Sequence, residues 1–269
     1  MKYYVIADPH GFYDEMIETL RESDYFEDQG EHRLVVLGDI LDRGSQANEM
    51  VEFMMEQDRL GKLVYVLGNH EDLLVDALQY IAALHYKGEQ INLGSNPMFT
   101  HYCNGTWDTL LQLSGMDAEL AMEHPLELAR RVMDHDFYRH LLYRAVDYFE
   151  TPNYVFAHGY IPCDAECLSP SVVISAEYNP NWRDAEPWEW RRARWFNGME
   201  MNHKHKVKLP DKTVVCGHWH TSYGHSVIEG RGEEFGDNAD FSPFYGDGII
   251  ALDARTKVSG IVNCIVLED

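Results

Sequence analysis

Five short clusters of Asp, His and Asn follow apolar runs in this sequence of 269 residues. They are Asp8-Pro9-His10-Gly11, Gly38-Asp39-Ile40-Leu41-Asp42-Arg43-Gly44, Gly68-Asn69-His70-Glu71, Ala157-His158-Gly159 and Gly217-His218-Trp219-His220. Asp8 and Asp39 are 31 positions apart, and Asp39 and Asn69 are 30 apart, which is typical of parallel strands joined by a crossover helix. Such loops open at the same carboxyl edge of a sheet. The clusters are therefore predicted to converge on one point.

The chemistry that these residue types favour is divalent metal binding. Carboxylate oxygens combined with neutral imidazoles suit Mn²⁺, Fe or Zn²⁺ and suit Ca²⁺ poorly. Two such ions roughly 3.5–4 Å apart can clamp a phosphate and acidify a bridging water, and one Asp should then lie between them. Taken singly, Asp39 or Asn69 would more simply cap a helix. Five clusters together favour a dinuclear site for phosphate-ester hydrolysis.

Composition places the chain among ordinary globular proteins. It is 45% hydrophobic and 25% charged, and it contains no apolar stretch long enough to span a membrane. The first residues, up to Asp8, are too few and too soon acidic for a signal peptide. The five cysteines are scattered and odd in number, as expected of reduced thiols. These features predict a cytoplasmic protein without a membrane partner.

The formal net charge of −23 bears on the choice of partners. A surface this acidic repels a polyanionic backbone, so nucleic acid is not expected as a partner. The simpler interpretation of this negative charge is that it keeps a globular protein in solution. The oligomeric state is left open.

The elements that must position the clusters are predicted from hydrophobic patterning. Buried strands are expected at 3–7, 33–37, 63–67, 154–157, 213–216, 248–252 and 260–267, with helices over 14–23, 46–57, 71–86, 126–134 and 137–148. Residues 87–150 interrupt the strand rhythm with helical pieces separated by Gly and Pro, which indicates a helical insertion over one side of the site. Residues 178–206 are expected to form loops and a short helix near the site.

The motifs resemble those of a known superfamily. The strings G-D-x-x-D-R-G and G-N-H-E, preceded by D-x-H-G, are similar to those of calcineurin-like metallophosphoesterases. More narrowly, they resemble the PPP-type serine/threonine phosphatases and the bacterial symmetrical dinucleoside-tetraphosphatases. The resemblance covers nearly the whole chain. It implies an α/β fold, an αββα sandwich of two mixed sheets flanked by helices, as a single domain over 1–269 with the insertion at about 87–150.

The resemblance also implies roles for individual residues. The first metal would be held by Asp8, His10 and Asp39, and the second by Asp39, Asn69, His158 and His218, with Asp39 bridging. In the wider superfamily the second His of G-H-x-H joins the first metal, so His220 is a further candidate ligand. Both ions would be divalent, most simply Mn²⁺, with Fe or Zn²⁺ as alternatives.

Four residues would act on the substrate. His70 would be the general acid, oriented and kept cationic by Asp42. Arg43 would bind phosphate oxygens with its guanidinium. The family implies a second phosphate-binding Arg in a W-x-R context, for which Arg192 is the candidate, although a solvated surface position would explain it equally well.

The implied activity is hydrolysis of phosphomonoesters, on a small molecule or a phosphoprotein, by attack of a dimetal-bound hydroxide. One alternative is a symmetrical bis(5′-nucleosyl)-tetraphosphatase, because Gly217-His218-Trp219 resembles that branch, whereas Asp42 before Arg43 resembles the protein phosphatases. His158-Gly159-Tyr160 departs from the H-G-G of the protein phosphatases. A second alternative is a catalytically silent metal-binding regulatory protein, which the retention of His70 and Asp42 disfavours.

Overall fold

Eleven strands and eleven α-helices make up the fold in a computed structural model that describes residues 1–269. The strands are β1 (Lys2–Ile6), β2 (His32–Leu37), β3 (Leu63–Val66), β4 (Tyr148–Glu150), β5 (Tyr154–Ala157), β6 (Asp164–Ser169), β7 (Val172–Glu177), β8 (Thr213–Cys216), β9 (Phe244–Gly246), β10 (Ile249–Ala251) and β11 (Cys264–Glu268). The helices are α1 (Tyr13–Glu22), α2 (Ala47–Arg59), α3 (Asn69–Lys87), α4 (Met98–Asn104), α5 (Thr106–Ser114), α6 (Ala118–Glu123), α7 (Pro125–Asp134), α8 (Leu142–Arg144), α9 (Pro187–Ala193), α10 (Gly198–His203) and α11 (Thr256–Ser259).

The strands form two mixed sheets and a separate hairpin. The first sheet has the order β11-β1-β2-β3, in which β1, β2 and β3 are parallel and β11 is antiparallel to β1. The second sheet has the order β4-β5-β8-β10-β9, with three parallel central strands and an antiparallel strand at each edge. Strands β6 and β7 pair only with each other. The parallel strands require crossovers, and α1 and α2 supply the first two.

Alternation along the strands explains why both faces of each sheet are buried. In β1, Tyr4 and Ile6 pack against the helices, whereas Tyr3 and Val5 face the second sheet. Phe156 and other apolar side chains of the second sheet complete the layer between the sheets. The outer face of the second sheet is covered by a separate group of buried side chains that includes Trp182, Trp190, Phe196 and Met199. The predicted αββα sandwich is confirmed.

The helical insertion lies mainly on the outer face of the first sheet. Leu110, Leu128 and Val132 from its helices join the core formed with α2 and α3. The insertion is shorter than predicted, because its last helix ends at Arg144 and residues 148–150 form the edge strand β4 of the second sheet. The insertion reaches the site at the start of α5, where the Thr106 hydroxyl donates to Asp42.

Other differences from the sequence-based prediction are local. The last strand begins at Cys264 rather than at residue 260, and two helices, α9 and α10, occupy the segment where one was expected. The hairpin β6–β7 and the short strand β9 were not predicted, because neither is a buried apolar run. The parallel strands of the first sheet and the helices α1, α2 and α3 are confirmed. None of the helices combines the length and the apolar character needed to cross a membrane.

Candidate active site

Six parallel strands from both sheets end at one place, and a polar side chain follows each strand within three residues. These side chains are Asp8 after β1, Asp39 after β2, Asn69 after β3, His158 after β5, His218 after β8 and Asp253 after β10. All are buried except His218, which is partly buried. The structure therefore brings together residues that are up to about two hundred positions apart, and it adds Asp253, which the sequence did not indicate.

Hydrogen-bond acceptors face one another around Asn69. The Nδ1 atom of His158 lies 2.6 Å from the carbonyl oxygen of Leu37, so it carries the proton in the neutral ring. Its Nε2 atom then has a lone pair, yet it lies 2.9 Å from Asn69 Oδ1, and His218 Nδ1 lies 2.8 Å from the same oxygen. A cation held by these residues would relieve the conflict between the lone pairs of His158 Nε2 and Asn69 Oδ1.

Asp39 joins this cluster to a second one. Its Oδ1 lies 3.4 Å from His158 Nε2, while its Oδ2 lies 3.7 Å from His10 Nε2 and 3.8 Å from His70 Nε2. Ligand atoms of Asp39, His158 and His218 lie within 4.8 Å of one another, as do those of His10, Asp39 and His70. The two oxygens of one carboxylate thus face separate donor groups, which is the geometry of a bridging ligand.

Burial sets the charge of these groups. It lowers the pKa of His10, His158 and His218, the last to about 3, so the imidazoles are neutral and able to act as ligands. Burial, together with the charges of Asp253 and Asp39, raises the pKa of Asp8. Neutral imidazoles around crowded carboxylates are a donor set that fits a pair of divalent cations.

Asp8 belongs to neither donor group, and its carboxylate instead contacts the backbone of His218. Both of its carboxylate oxygens accept the backbone N–H of His218, at 2.9 and 3.1 Å. A Cβ on Gly217 would lie 2.1 Å from Asp8 Oδ2, so glycine is required for this close approach. The contact holds the first and fifth sequence clusters together.

His70 and Asp42 form a buried dyad beside the metal-ligand cluster. His70 Nδ1 lies 2.6 Å from Asp42 Oδ2, and Thr106 and Thr109 donate to the same carboxylate at 2.8 and 2.7 Å. Arg43 Nη2 lies 3.0 Å from His70 Nε2. Burial disfavours the protonated form of His70, but the charges of Asp39 and Asp42 outweigh it and raise the pKa. The dyad can therefore hold a proton on Nδ1 and accept another on Nε2.

Glu71 is a positioning residue that the sequence analysis missed. Its buried carboxylate accepts backbone N–H groups from Asp39 at 3.0 Å, Ile40 at 3.1 Å and Gly68 at 2.7 Å. It thereby fixes the loop that carries Asp39 against the start of α3. Its place in the G-N-H-E string marked it as part of a motif, but no local pattern revealed these partners.

The backbone at the site is strained. Asp8, His10, Asp39, Asp42, Arg43 and His218 all have φ between 48° and 71°. This left-handed region is uncommon for residues other than glycine and persists only where the surrounding structure enforces it. The loops that carry these residues are therefore held in shape by hydrogen bonds from neighbouring segments, such as those of Glu71 and Asp8.

A groove of about 450 Å³ opens beside the cluster. Its lining includes Arg43, His218 and Asp253 at the cluster, together with Trp195, Trp219, Phe235, Arg255 and Lys257 farther along. A smaller crevice of about 230 Å³ lies between Tyr65 and Leu141 on another side of the molecule and contains none of the cluster residues. A larger cavity of about 640 Å³ near Asp240 and Ile261 contains no cluster residue either, so the groove is the one of these cavities that opens onto the cluster.

Two predicted site residues lie apart from the cluster. His220 lines the groove, but its Nε2 atom lies 3.1 Å from Glu234 Oε1 and it belongs to neither donor group. Arg192 donates to the carbonyl oxygens of Cys163 and Ala165, at 3.1 and 3.4 Å, and does not line the groove. The structure therefore does not place His220 with the metal ligands or Arg192 with the phosphate site.

Comparisons with known proteins agree with this geometry. Over 76 residues, the chain is 37% identical to the bis(5′-nucleosyl)-tetraphosphatase PrpE [asymmetrical] of Bacillus velezensis, a match that covers 26% of this chain and 30% of that protein. The protein of the same name from Bacillus subtilis is 37% identical over 76 residues, 26% of this chain and 31% of that protein. The match thus spans about 30% of the length of these curated relatives.

Solved structures support the fold. A crystal structure of a mutant cold-active protein tyrosine phosphatase has a TM-score of 0.53 at 17% identity, covering 100% of this chain and 75% of that one. The cold-active protein tyrosine phosphatase of a Shewanella species has a TM-score of 0.50 at 16% identity, with the same coverage. At these identities the likeness concerns the fold alone. Residues 1–239 match the family model of calcineurin-like phosphoesterases. The chain therefore belongs to the calcineurin-like phosphoesterases, a family of hydrolases that act on phosphoester bonds.

Proposed function

We propose that this chain is a metal-dependent phosphomonoesterase that acts on a phosphorylated small molecule or on a phosphoprotein. The observation that carries the proposal is Asp39, whose two carboxylate oxygens face separate donor groups next to the His70–Asp42 dyad. In this role the first metal would be held by Asp8, His10 and Asp39, and the second by Asp39, Asn69, His158 and His218. When bound, the two divalent ions, most simply Mn²⁺, polarise the phosphate and activate water.

The chain's own residues would bind the phosphate and move the proton. Arg43 donates to His70 Nε2 in the free protein. A phosphate dianion competes for the same guanidinium, so Arg43 turns to the phosphate oxygens and leaves Nε2 free. Nε2 then takes a proton from solvent, and His70, held by Asp42 at Nδ1, donates this proton to the leaving oxygen as the bond from phosphorus to that oxygen breaks.

The alternative is hydrolysis of a dinucleoside tetraphosphate. Two observations favour it: the two Bacillus relatives are named as tetraphosphatases, and the groove combines aromatic and cationic side chains. The sequence motifs favoured the symmetrical enzyme, whereas those relatives are named as asymmetrical. The products separate the two modes, because symmetrical cleavage of diadenosine tetraphosphate gives two ADP and asymmetrical cleavage gives ATP and AMP.

A substrate panel with the Mn²⁺-loaded protein tests these proposals. The panel contains 4-nitrophenyl phosphate, a bis-ester, phosphoserine, phosphothreonine and phosphotyrosine peptides, and diadenosine tetraphosphate. We expect the highest kcat/KM for a monoester. Turnover of the tetraphosphate well above that of every monoester would overturn this preference and support the alternative. No turnover of any substrate by protein that holds metal would support a silent regulatory role.

A further inference from the structure

We propose that the groove is a subsite for a leaving group that is both aromatic and negatively charged, recognised by Phe235, Arg255 and Lys257. The inference rests on the proposed phosphomonoesterase function and adds the class of substrate that the enzyme prefers. It concerns the end of the groove away from the metal-ligand cluster, for which the sequence motifs indicate no role.

Unpaired positive charge is the first observation. In a chain of net charge −23, thirteen of the 22 Lys and Arg side chains form ion pairs with carboxylates within 4.0 Å, and Arg43, Arg255 and Lys257 are among the nine that form none. All three line the same groove. Arg43 lies next to His70 and serves the transferred phosphate, so Arg255 and Lys257 are left to attract a second anion.

An exposed aromatic ring is the second observation. Phe235 is 53% exposed although it lines the groove. The ring centroid of Phe235 lies 5.0 Å from that of His220. The guanidinium carbon of Arg255 lies 5.2 Å from the same Phe235 centroid, which is a cation–π contact. The ring is thus held on two sides while much of its surface stays open, which suits stacking against a planar group.

The third observation is that both recognition elements are fixed in place, Arg255 by a residue at the cluster and Phe235 by the groove wall. The N–H of Arg255 donates to Asp253 Oδ1 at 2.6 Å, and Arg255 has a φ of 53°. The segment with Phe235 is held by two contacts of the neighbouring Glu234: its carboxylate lies 3.1 Å from His220 Nε2, and its carbonyl accepts the Ser222 hydroxyl at 2.7 Å. In this reading His220 is a positioning residue for the groove wall.

The test uses two substrates that differ by one charge: 3-carboxyphenyl phosphate and its methyl ester. The measured quantity is the ratio of kcat/KM for the acid to kcat/KM for the ester. The two substrates differ in intrinsic reactivity by the same factor in every variant, so a change in this ratio between variants reports recognition of the carboxylate. The variants are Arg255→Gln, Lys257→Gln, the double variant and Arg255→Lys. Lys87→Gln removes the same charge from an exposed position outside the groove and serves as the matched control.

We expect the double variant to lower the ratio roughly 3–10-fold, the range for one or two partly exposed ion pairs, through a higher KM for the acid. Arg255→Lys should restore most of the ratio, and Lys87→Gln should leave it unchanged. If the wild type hydrolyses neither substrate, the proposed function fails. If it hydrolyses both and the groove variants leave the ratio at the wild-type value, the subsite is overturned while the function stands.

Phe235→Leu separates the aromatic part of the subsite from the charged part. We expect a higher KM for both aryl phosphates but no change for an alkyl phosphate, because only a planar leaving group loses the stacking surface. The same increase in KM for all three substrates would contradict a role of Phe235 in recognition. His220→Gln should weaken aryl phosphate binding in the same way without lowering the metal content, whereas loss of metal would overturn its assignment as a positioning residue.

Discussion

The imidazole of His70 illustrates how single atoms define the chemistry of this site. Asp42 fixes the proton on Nδ1 and leaves Nε2 directed towards Arg43 and Asp39. His70→Asn removes the acid and should slow hydrolysis of an alkyl phosphate by roughly 10²–10⁴-fold, the usual contribution of a positioned general acid. The loss should be smaller for 4-nitrophenyl phosphate, since nitrophenolate needs little protonation. Steady-state kinetics on both substrates measure this, and equal losses would argue against acid catalysis.

The metal content of the same variant is the control. His70→Asn should keep nearly all of the metal of the wild type by elemental analysis, because the proposed ligands are other residues. If the variant loses both metal and activity, His70 is itself a metal ligand. This outcome is geometrically possible, because His70 lies in the same donor group as His10 and Asp39.

A substitution of Asp39 should affect both proposed metal sites, because Asp39 belongs to both donor groups. The wild type loaded with Mn²⁺ should hold close to two ions per chain, and Asp39→Asn should reduce the occupancy of both sites. Elemental analysis gives the stoichiometry. Asp211→Asn, which removes one negative charge at an exposed position, should retain two ions. Loss of a single ion from Asp39→Asn would mean that the carboxylate does not bridge.

At the scale of elements, the turn between α4 and α5 links the insertion to the site. Gly105 has a φ of 91°, and a Cβ at this position would lie 2.4 Å from the backbone nitrogen of Arg43. Gly115, at the other end of α5, has a φ of 65° but open space around it. Gly115→Ala should therefore lower the free energy of unfolding by about 1–2 kcal/mol, the cost of the left-handed conformation alone.

Gly105→Ala should cost more than Gly115→Ala, because it adds a backbone clash to the same conformational penalty. It should also lower kcat/KM, since Arg43 and Asp42 must shift, whereas Gly115→Ala should leave activity intact. Denaturant unfolding and steady-state kinetics on the two variants test this. Equal destabilisation with full activity in both would show that the turn does not position Arg43.

The elements near the clusters could be predicted from the sequence because their signals are local. A buried apolar run followed by Asp8 or Asp39 indicates a parallel strand and the loop after it, whatever the rest of the chain does. The hairpin β6–β7 gave no such signal, because its side chains are mostly exposed on both faces. A strand pair with little apolar burial lacks the pattern from which strands are recognised.

Contacts between distant residues could not be predicted from local patterns. Thr106 and Asp42 are 64 positions apart, and nothing near Thr106 indicates that its hydroxyl donates to the Asp42 carboxylate. The same holds for Arg255, which joins the groove only because β10 pairs with β8 and ends beside the cluster. Arg192 was chosen from a short motif, and packing instead directs its guanidinium to two backbone carbonyls.

The whole molecule carries enough negative charge for self-repulsion to affect its stability. At a net charge of −23, raising ionic strength from 0.01 to 0.15 M shortens the Debye length from about 30 to about 8 Å and screens that repulsion. The melting temperature should therefore rise, by roughly 2–4 °C for each kcal/mol gained. NaCl and KCl should give equal shifts in thermal unfolding if screening is the cause. A constant or falling melting temperature would contradict this explanation.

The position of β1 between β2 and β11 has a consequence for synthesis on the ribosome. The strand Lys2–Ile6 is flanked by β2 on one side and, on the other, by Cys264–Glu268, which come much later in the sequence. Until those late residues emerge, one edge of an apolar strand has no hydrogen-bond partner. The nascent chain therefore exposes this strand edge while the residues between β1 and β11 are synthesised, so chaperone protection during elongation matters more for this enzyme than for a protein whose sheet closes early.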